Sequence, residues 1–425
     1  MTGPRAAPSV TPSVPRLLLA YHFFHPDDVV SARMFSDLAV EQRRRGWEVV
    51  ALTSNRSCFD PTRTYPGRED WEGVEIHRVF RPPLRQSRPI ERLTNSGWMT
   101  AAWLARAARL GPMDAVVVGS DPAFAPLVGP GLRRLWPGAA LVHWCFDVYP
   151  EAIAAEGGNA AVRALVPLAG RLMTWAYRSY DALVDIGPCM GERLAAYSSG
   201  ARQATLTPWA LAEGAAASVD PTLRRQLFGD AKLGLLYSGT MGRAHDHQAL
   251  LAVARACRRR WGDEIAFCFA SRGNRQDELR AAVQPDDSNV RFAPFADEAS
   301  LGARLASADL HLISLQPEWA GVVVPSKFFG ALAAGRPVLY AGPAQSEIAR
   351  WIRQHDVGLA VGDGQAGPDT TAARLHELAT APGALAAWQA NARAVYDREF
   401  SKAIVNDRWN ALLRELVAAR AASSR

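Results

Sequence analysis

Cysteine is scarce in this chain. The five present (Cys58, Cys145, Cys189, Cys257 and Cys268) are odd in number and widely spaced, with no C-x-x-C. That excludes a disulfide framework and a cysteine zinc site, and it fits a reducing compartment. No apolar run approaches the roughly 18 residues that a membrane-spanning helix needs. Residues 1–16, rich in proline, serine, threonine and alanine, lack the apolar stretch of a secretory signal, and 17–20 is too short to supply one. The expectation is a disordered segment over 1–16 on a cytoplasmic protein. Other signatures are missing too. No G-x-S-x-G marks a serine hydrolase, no G-K-[ST] ends a Walker A loop, and no G-x-G-x-x-G announces a dinucleotide site. His22 with His25, and His245 with His247, lack third and fourth ligands nearby, so no metal site is expected. Charge is not dominated by one sign: 48 Lys and Arg against 42 Asp and Glu leave +6. With scattered arginines and no nucleic-acid-binding motif, this suits anionic small ligands or an acidic membrane surface rather than nucleic acid.

What the chain has in quantity is alternation. Short, largely apolar stretches at 17–20, 47–52, 114–119, 139–145 and 181–186 read as strands, as does 74–79 (VEIHRV), and helical periodicity fills most gaps between them. Residues 211–230 are rich in Ala, Gly and Asp and read as a linker with a short Arg-rich helix. The alternation then restarts at 233–237, 265–270, 290–293, 310–315, 338–341 and 357–361. The fold class is therefore α/β, with two successive parallel arrays. Loops at the carboxyl ends of both sheets face one cleft, the natural ligand site. Two stretches stay open. The proline-broken basic segment 81–92 is either a solvated loop or a contact for anionic lipid or an acceptor phosphate. The 160–180 helix, with Arg163, Arg171 and Arg178 among apolar residues, is either packed in the ordinary way or an interfacial membrane surface.

Two turns carry chemistry. In 237–246 (YSGTMGRAHD) a strand runs into Ser238-Gly239-Thr240-Met241-Gly242-Arg243 and then a helix. Gly239 and Gly242 let the backbone approach an anion, the helix N-terminus offers free N–H groups, and Arg243 adds a forked charge. Further on, Pro325-Ser326-Lys327 opens an apolar helix. A cation at a helix N-terminus opposes the helix dipole unless an anion meets both; the alternative is a lysine that snorkels to water. Together the two turns could hold a diphosphate and stabilise its charge as it leaves. In the first array, Asp121 before Pro122 reads as an N-cap followed by proline at N1.

These segments, with 21–54 (YHFFHPDDVVSARMFSDLAVEQRRRGWEVVALTS), 143–151 (HWCFDVYPE) and 322–347 (VVVPSKFFGALAAGRPVLYAGPAQSE), resemble GT-B glycosyltransferases of family 4, in the exopolysaccharide and O-antigen branch that includes fucosamine and colanic-acid transferases. The resemblance implies two doubly wound Rossmann-like domains facing across a cleft. Residues 17–210 would bind the acceptor, 211–230 would link, 231–400 would bind the nucleotide sugar, and 401–425 would cross back to the first domain. It implies a donor site of Ser238, Gly239, Thr240, Gly242, Arg243, Ser326 and Lys327, with Glu347 on the sugar or ribose side. The acceptor loop would involve His22, Asp28, Ser31 and Asp121, and Asp147, Arg243 and Lys327 would be catalytic. It further implies a retaining, metal-independent enzyme. Its donor is a nucleoside-diphosphate sugar used as substrate, with no separate cofactor. Its acceptor is a glycan or lipid-linked glycan in cell-surface polysaccharide synthesis, reached at the cytoplasmic face of a membrane or free of it. The chain departs from the family at the E-x7-E motif, whose acids fall on Val322 and Gly330; Glu318 is the nearest replacement. It departs again where Phe146 precedes Asp147 and Val30-Ser31 replaces a glycine pair. A non-catalytic sugar-nucleotide-binding subunit and a GT-B nucleotide-sugar epimerase remain as other readings.

Overall fold

In a computed structural model the residues described are 14–60, 62–84, 88–157, 160–197, 199–213, 219–362 and 366–423. Most of the segment expected to be disordered, 1–13, and part of the linker, 214–218, lie outside them. The first sheet holds β1 (Arg16–Ala20), β2 (Glu48–Ser54), β3 (Arg68–Trp71), β4 (Val74–Val79), β5 (Ala115–Gly119), β6 (Ala140–Trp144), β7 (Ala182–Asp185) and β8 (Arg202–Thr205). Their spatial order is β3-β4-β2-β1-β5-β6-β7-β8, and all pairs are parallel except the β3–β4 hairpin. The second sheet holds β9 (Leu233–Thr240), β10 (Ile265–Arg272), β11 (Val290–Phe292), β12 (Leu310–Ser314), β13 (Val338–Ala341) and β14 (Gly358–Val361). It is parallel throughout, in the order β11-β10-β9-β12-β13-β14.

The central strands are continuous apolar runs because helices cover both faces and side chains on either side are buried. Leu17, Leu18 and Leu19 of β1 and Val116, Val117 and Val118 of β5 are fully buried. Right-handed crossovers fix the helix layers. The step from β1 to β2 runs one way along the sheet, whereas β4 to β5 and β6 to β7 run the other. The Val30–Arg44 helix therefore lies on one face, and the Pro89–Ala107 and Ala160–Tyr177 helices lie on the opposite face. The Lys402–Ser423 helix returns from the second array and packs on Val30–Arg44 and β6. Trp409 meets Trp144 edge-on at 4.9 Å, Trp47 Nε1 donates to Asn410 Oδ1 at 3.0 Å, and Arg45 pairs with Asp407 at 2.8 Å.

Some elements differ from their sequence reading. The β3 hairpin edge is charged and partly exposed, so it carries no apolar run. The segment 81–92 is helical from Pro89, with proline in the first turn. Arg81 is buried with its guanidinium 5.3 Å from the Phe23 ring. Strand β9 continues through Ser238, Gly239 and Thr240, which pair with Ala270, Ser271 and Arg272. The glycine turn is therefore confined to the residues after Thr240, and the next helix begins at Gln248.

Candidate active site

A cleft of ≈ 900 Å³ opens between the two sheets. Its second-domain wall is made by the carboxyl ends of β9 and β10, the 241–247 turn and the start of the Lys327–Ala333 helix. Its first-domain wall includes Asp28, Arg33, Phe59, Asp147, Glu156 and Trp209. Of the residues singled out in the sequence, Asp28, Asp147, Ser238, Gly239, Thr240, Gly242, Arg243, Ser326 and Lys327 line this one space.

Lys327 occupies the first helical position after Ser326. Its ammonium donates to Thr240 O at 2.8 Å and lies 3.3 Å from His245 Nε2. The His245 ring fixes the direction of that second bond. Its Nδ1 lies 2.7 Å from the Ser314 carbonyl and must carry the proton, so Nε2 accepts from Lys327. Burial, then the neighbouring ammonium, pushes His245 down to about 3, so it is neutral. Burial also pushes Lys327 down to about 7. Among the described residues no carboxylate lies within ion-pair distance of it. Gly239 has φ +127°, and a Cβ there would stand 3.0 Å from Lys327 Cε, so the glycine makes room for the lysine stem. Arg243, more than half exposed, reaches across the cleft to Glu156 at 3.1 Å. Glu156 also binds Arg92, at 3.2 Å. Arg275 Nη1 holds the turn by donating to His245 O at 2.9 Å.

On the opposite wall, the N–H groups of Phe146 and Asp147 donate to Ser120 Oγ at 3.1 and 3.2 Å. Burial, reinforced by Asp121 and Glu156, pushes the Asp147 carboxyl up to about 7. Val148 N donates to Val322 O at 3.1 Å, tying this loop to the second domain.

Other expected site residues lie elsewhere. Glu347 does not reach the cleft. It is fully buried, packed on Gly187, with Oε1 accepting from Met190 N at 2.9 Å. Its helix begins at the seam between the domains, so the side chain points into the first domain. His22 is likewise fully buried, with Nδ1 3.1 Å from Asp121 Oδ2 and Nε2 3.4 Å from Arg81 Nη1. Neither His22 nor Asp121 lines the cleft, and Asp121 caps no helix: the 3-10 turn at Ala125–Val128 follows Phe124. Ser31 hydrogen-bonds Tyr21 beneath the Val30–Arg44 helix. Val322 is buried and Glu318 is exposed outside the cleft, so neither supplies the missing acid. His245, weighed earlier only as a metal ligand, converges here too, with Glu156 and Arg272, which were not singled out. The Arg272 guanidinium lies 4.0 Å from the Phe295 ring and 5.2 Å from the Phe59 ring, at the cleft edge. Its position at the end of β10, next to β9, was the available signal.

The model of the glycosyl transferase 4-like domain matches residues 31–209. The full chain has the GT-B fold, as its neighbours show. A sucrose-phosphate synthase from Thermosynechococcus elongatus superposes with TM-score 0.72 at 16% identity, covering 95% of this chain and 100% of that one. WaaG, a glycosyltransferase involved in lipopolysaccharide biosynthesis, gives 0.57 at 18% identity over 90% and 95%. Anabaena HepE in complex with UDP-glucose gives 0.62 at 14% identity over 94% and 99%. In sequence, the probable glycosyltransferase WbjE of Pseudomonas aeruginosa is 26% identical over 255 residues, which are 58% of this chain and 61% of that protein's length. The chain thus has the GT-B fold, and its first domain is similar to the glycosyl transferase 4-like domain, as the motifs suggested. No described helix is long and apolar enough to cross a membrane.

Proposed function

We propose that the protein transfers a sugar from a nucleoside-diphosphate sugar to a glycan or lipid-linked acceptor in cell-surface polysaccharide synthesis, with retention and without a metal. The observation that carries this reading is Lys327: a partly buried ammonium with no carboxylate partner among the described residues, facing the same cleft as Arg243 and flanked by a glycine that leaves it space. A diphosphate seated there would be met by both cations, which would neutralise the charge that develops as it leaves. HepE, of the same fold, is solved in complex with UDP and with UDP-glucose, which supports a nucleotide ligand for this fold. Asp147, on the facing wall, would position the acceptor hydroxyl. In a front-face transfer the anomeric C–O bond to the diphosphate breaks, and the departing phosphate oxygen takes the hydroxyl proton. The acceptor oxygen then bonds to the anomeric carbon on the same face. Arg243 and Lys327 would supply the positive charge that a divalent ion supplies in other transferases. The reaction would take place on the cytoplasmic side.

A donor screen by binding and by nucleotide release, run on wild type and Lys327→Ala, tests the assignment. Loss of binding and turnover in the variant is expected; equal binding and turnover would refute it. Two carboxylates, Asp147 and Glu156, share the cleft, which keeps nucleotide-sugar epimerisation as a second reading. An isomerised donor sugar with no nucleotide released would favour it, and binding without any turnover would favour a non-catalytic subunit.

A further inference from the structure

Two helices on the same face of the first sheet present nearly uncharged surfaces to solvent. In Ala160–Tyr177, Leu165, Leu168, Leu172 and Trp175 form one stripe at helical spacing, each between 45% and 64% exposed. In Pro89–Ala107, Ile90 is 80% exposed, and Leu93 and Trp98 about half exposed. The other outward positions there are Thr94, Gly97, Ala101 and Ala105, with no charge among them. Both helices pack against the Ala125–Val128 turn, and Arg92 of the first bonds Glu156, just ahead of the second. Of the fourteen large apolar side chains exposed in the described residues, eight lie on these two helices and the adjoining Phe80. Single exposed apolar residues are ordinary, but a concentrated patch marks an interaction surface.

Charge narrows the choice of partner. Ala160–Tyr177 contains no acidic residue. Arg171 and Arg178, both exposed, border the stripe and make no ion pair among the described residues. Two copies meeting face to face would bring these arginines together with nothing on the stripe to neutralise them. An anionic surface has no such conflict, and the indoles of Trp98 and Trp175 suit the boundary between headgroups and acyl chains. We propose that this face docks on an anionic phospholipid bilayer, with the two helices lying in the headgroup layer and their apolar stripes towards the acyl chains. Glu156, which bonds Arg243 across the cleft, immediately precedes the second helix, so docking brings the cleft mouth to the lipid surface. The inference rests on this surface alone; it also gives the lipid-linked acceptor of the proposed reaction a route of approach.

The test is co-sedimentation of the full chain with vesicles of phosphatidylcholine, and of phosphatidylcholine with phosphatidylglycerol. Each arginine near an anionic surface contributes about fivefold, so the mixed vesicles should bind roughly thirtyfold more tightly. Leu165→Ser/Leu168→Ser/Leu172→Ser, all at exposed positions, should lose vesicle binding while keeping the wild-type melting temperature and the wild-type response to the nucleotide sugar that binds best in the donor screen. Arg171→Glu/Arg178→Glu should remove the preference for phosphatidylglycerol. Sedimentation of the triple-serine variant equal to wild type overturns the proposal, as does indifference of wild type to phosphatidylglycerol. A wild-type dimer that the triple-serine variant converts to monomer, with neither binding vesicles, would assign the face to self-association instead. Failure of wild type to bind any nucleotide sugar would count against glycosyl transfer and leave the vesicle result standing.

Discussion

If Lys327 meets the donor diphosphate, donor binding is a proton-coupled event. Burial holds its ammonium down to about 7 in the free protein, so about half of the molecules carry the charge at pH 7 and about a tenth at pH 8. A diphosphate in contact with the ammonium favours the charged form and restores an ordinary lysine pKa. Binding must therefore draw in a proton: about 0.5 per donor at pH 7 and about 0.9 at pH 8. The apparent dissociation constant should accordingly rise about tenfold per pH unit above pH 8. The ligand is the nucleotide sugar that binds best in the donor screen, because its esterified diphosphate has no terminal phosphate group to titrate in this range. Calorimetry in buffers of different ionisation enthalpy reads the proton count directly. No uptake at pH 8, or the same uptake in Lys327→Met, would refute the claim that Lys327 meets the diphosphate.

Other consequences follow from the same geometry. Without ligand, Lys327→Met should melt higher than wild type at pH 7, and the gap should close towards pH 10. The folded pKa lies below the unfolded one, so the unfolded chain binds more protons between those values and wild-type stability rises with pH across that window; scanning fluorimetry over pH 6–10 checks it. Asp147→Asn should abolish the rising limb of the pH–rate profile near pH 7 and lower turnover by about 10²-fold, with donor affinity nearly unchanged. Glu156→Gln should tighten nucleotide binding by about two- to fivefold, because the donor no longer competes with a carboxylate for a half-exposed Arg243; titration of both proteins reads it. Trp409→Ala should cost about 3–5 kcal/mol in urea unfolding, since the side chain is fully buried against Trp144.

The strands were legible because a parallel sheet covered on both faces demands unbroken apolar runs, and 17–20, 114–119 and 338–341 are such runs. The β3 edge was not, because Arg68-Glu69-Asp70-Trp71 is an antiparallel hairpin arm with no apolar signal. Lys327 stood out because a cation opening an apolar helix contradicts local electrostatics. Gly239 was harder to place. Its glycine reads as a turn, whereas it stays in register with Ser271 and uses its missing side chain to admit the lysine stem. Glu347 and His22 follow the right strands but turn into the protein, and which way a side chain turns after a strand depends on tertiary packing that no local pattern carries. The apolar residue where the family places an acid has a structural counterpart. Val322 is buried, and its carbonyl bonds Val148 of the facing domain.

The return of the Lys402–Ser423 helix has a temporal side. Trp409 closes the core around Trp144, and Asn410 and Asp407 bond Trp47 and Arg45. The first domain is therefore completed by residues that follow the second domain in the chain. Domains that fold as they emerge can finish while the ribosome is still elongating. Here the first domain stays open on one face until the second has been translated in full, and the two halves mature as a single unit.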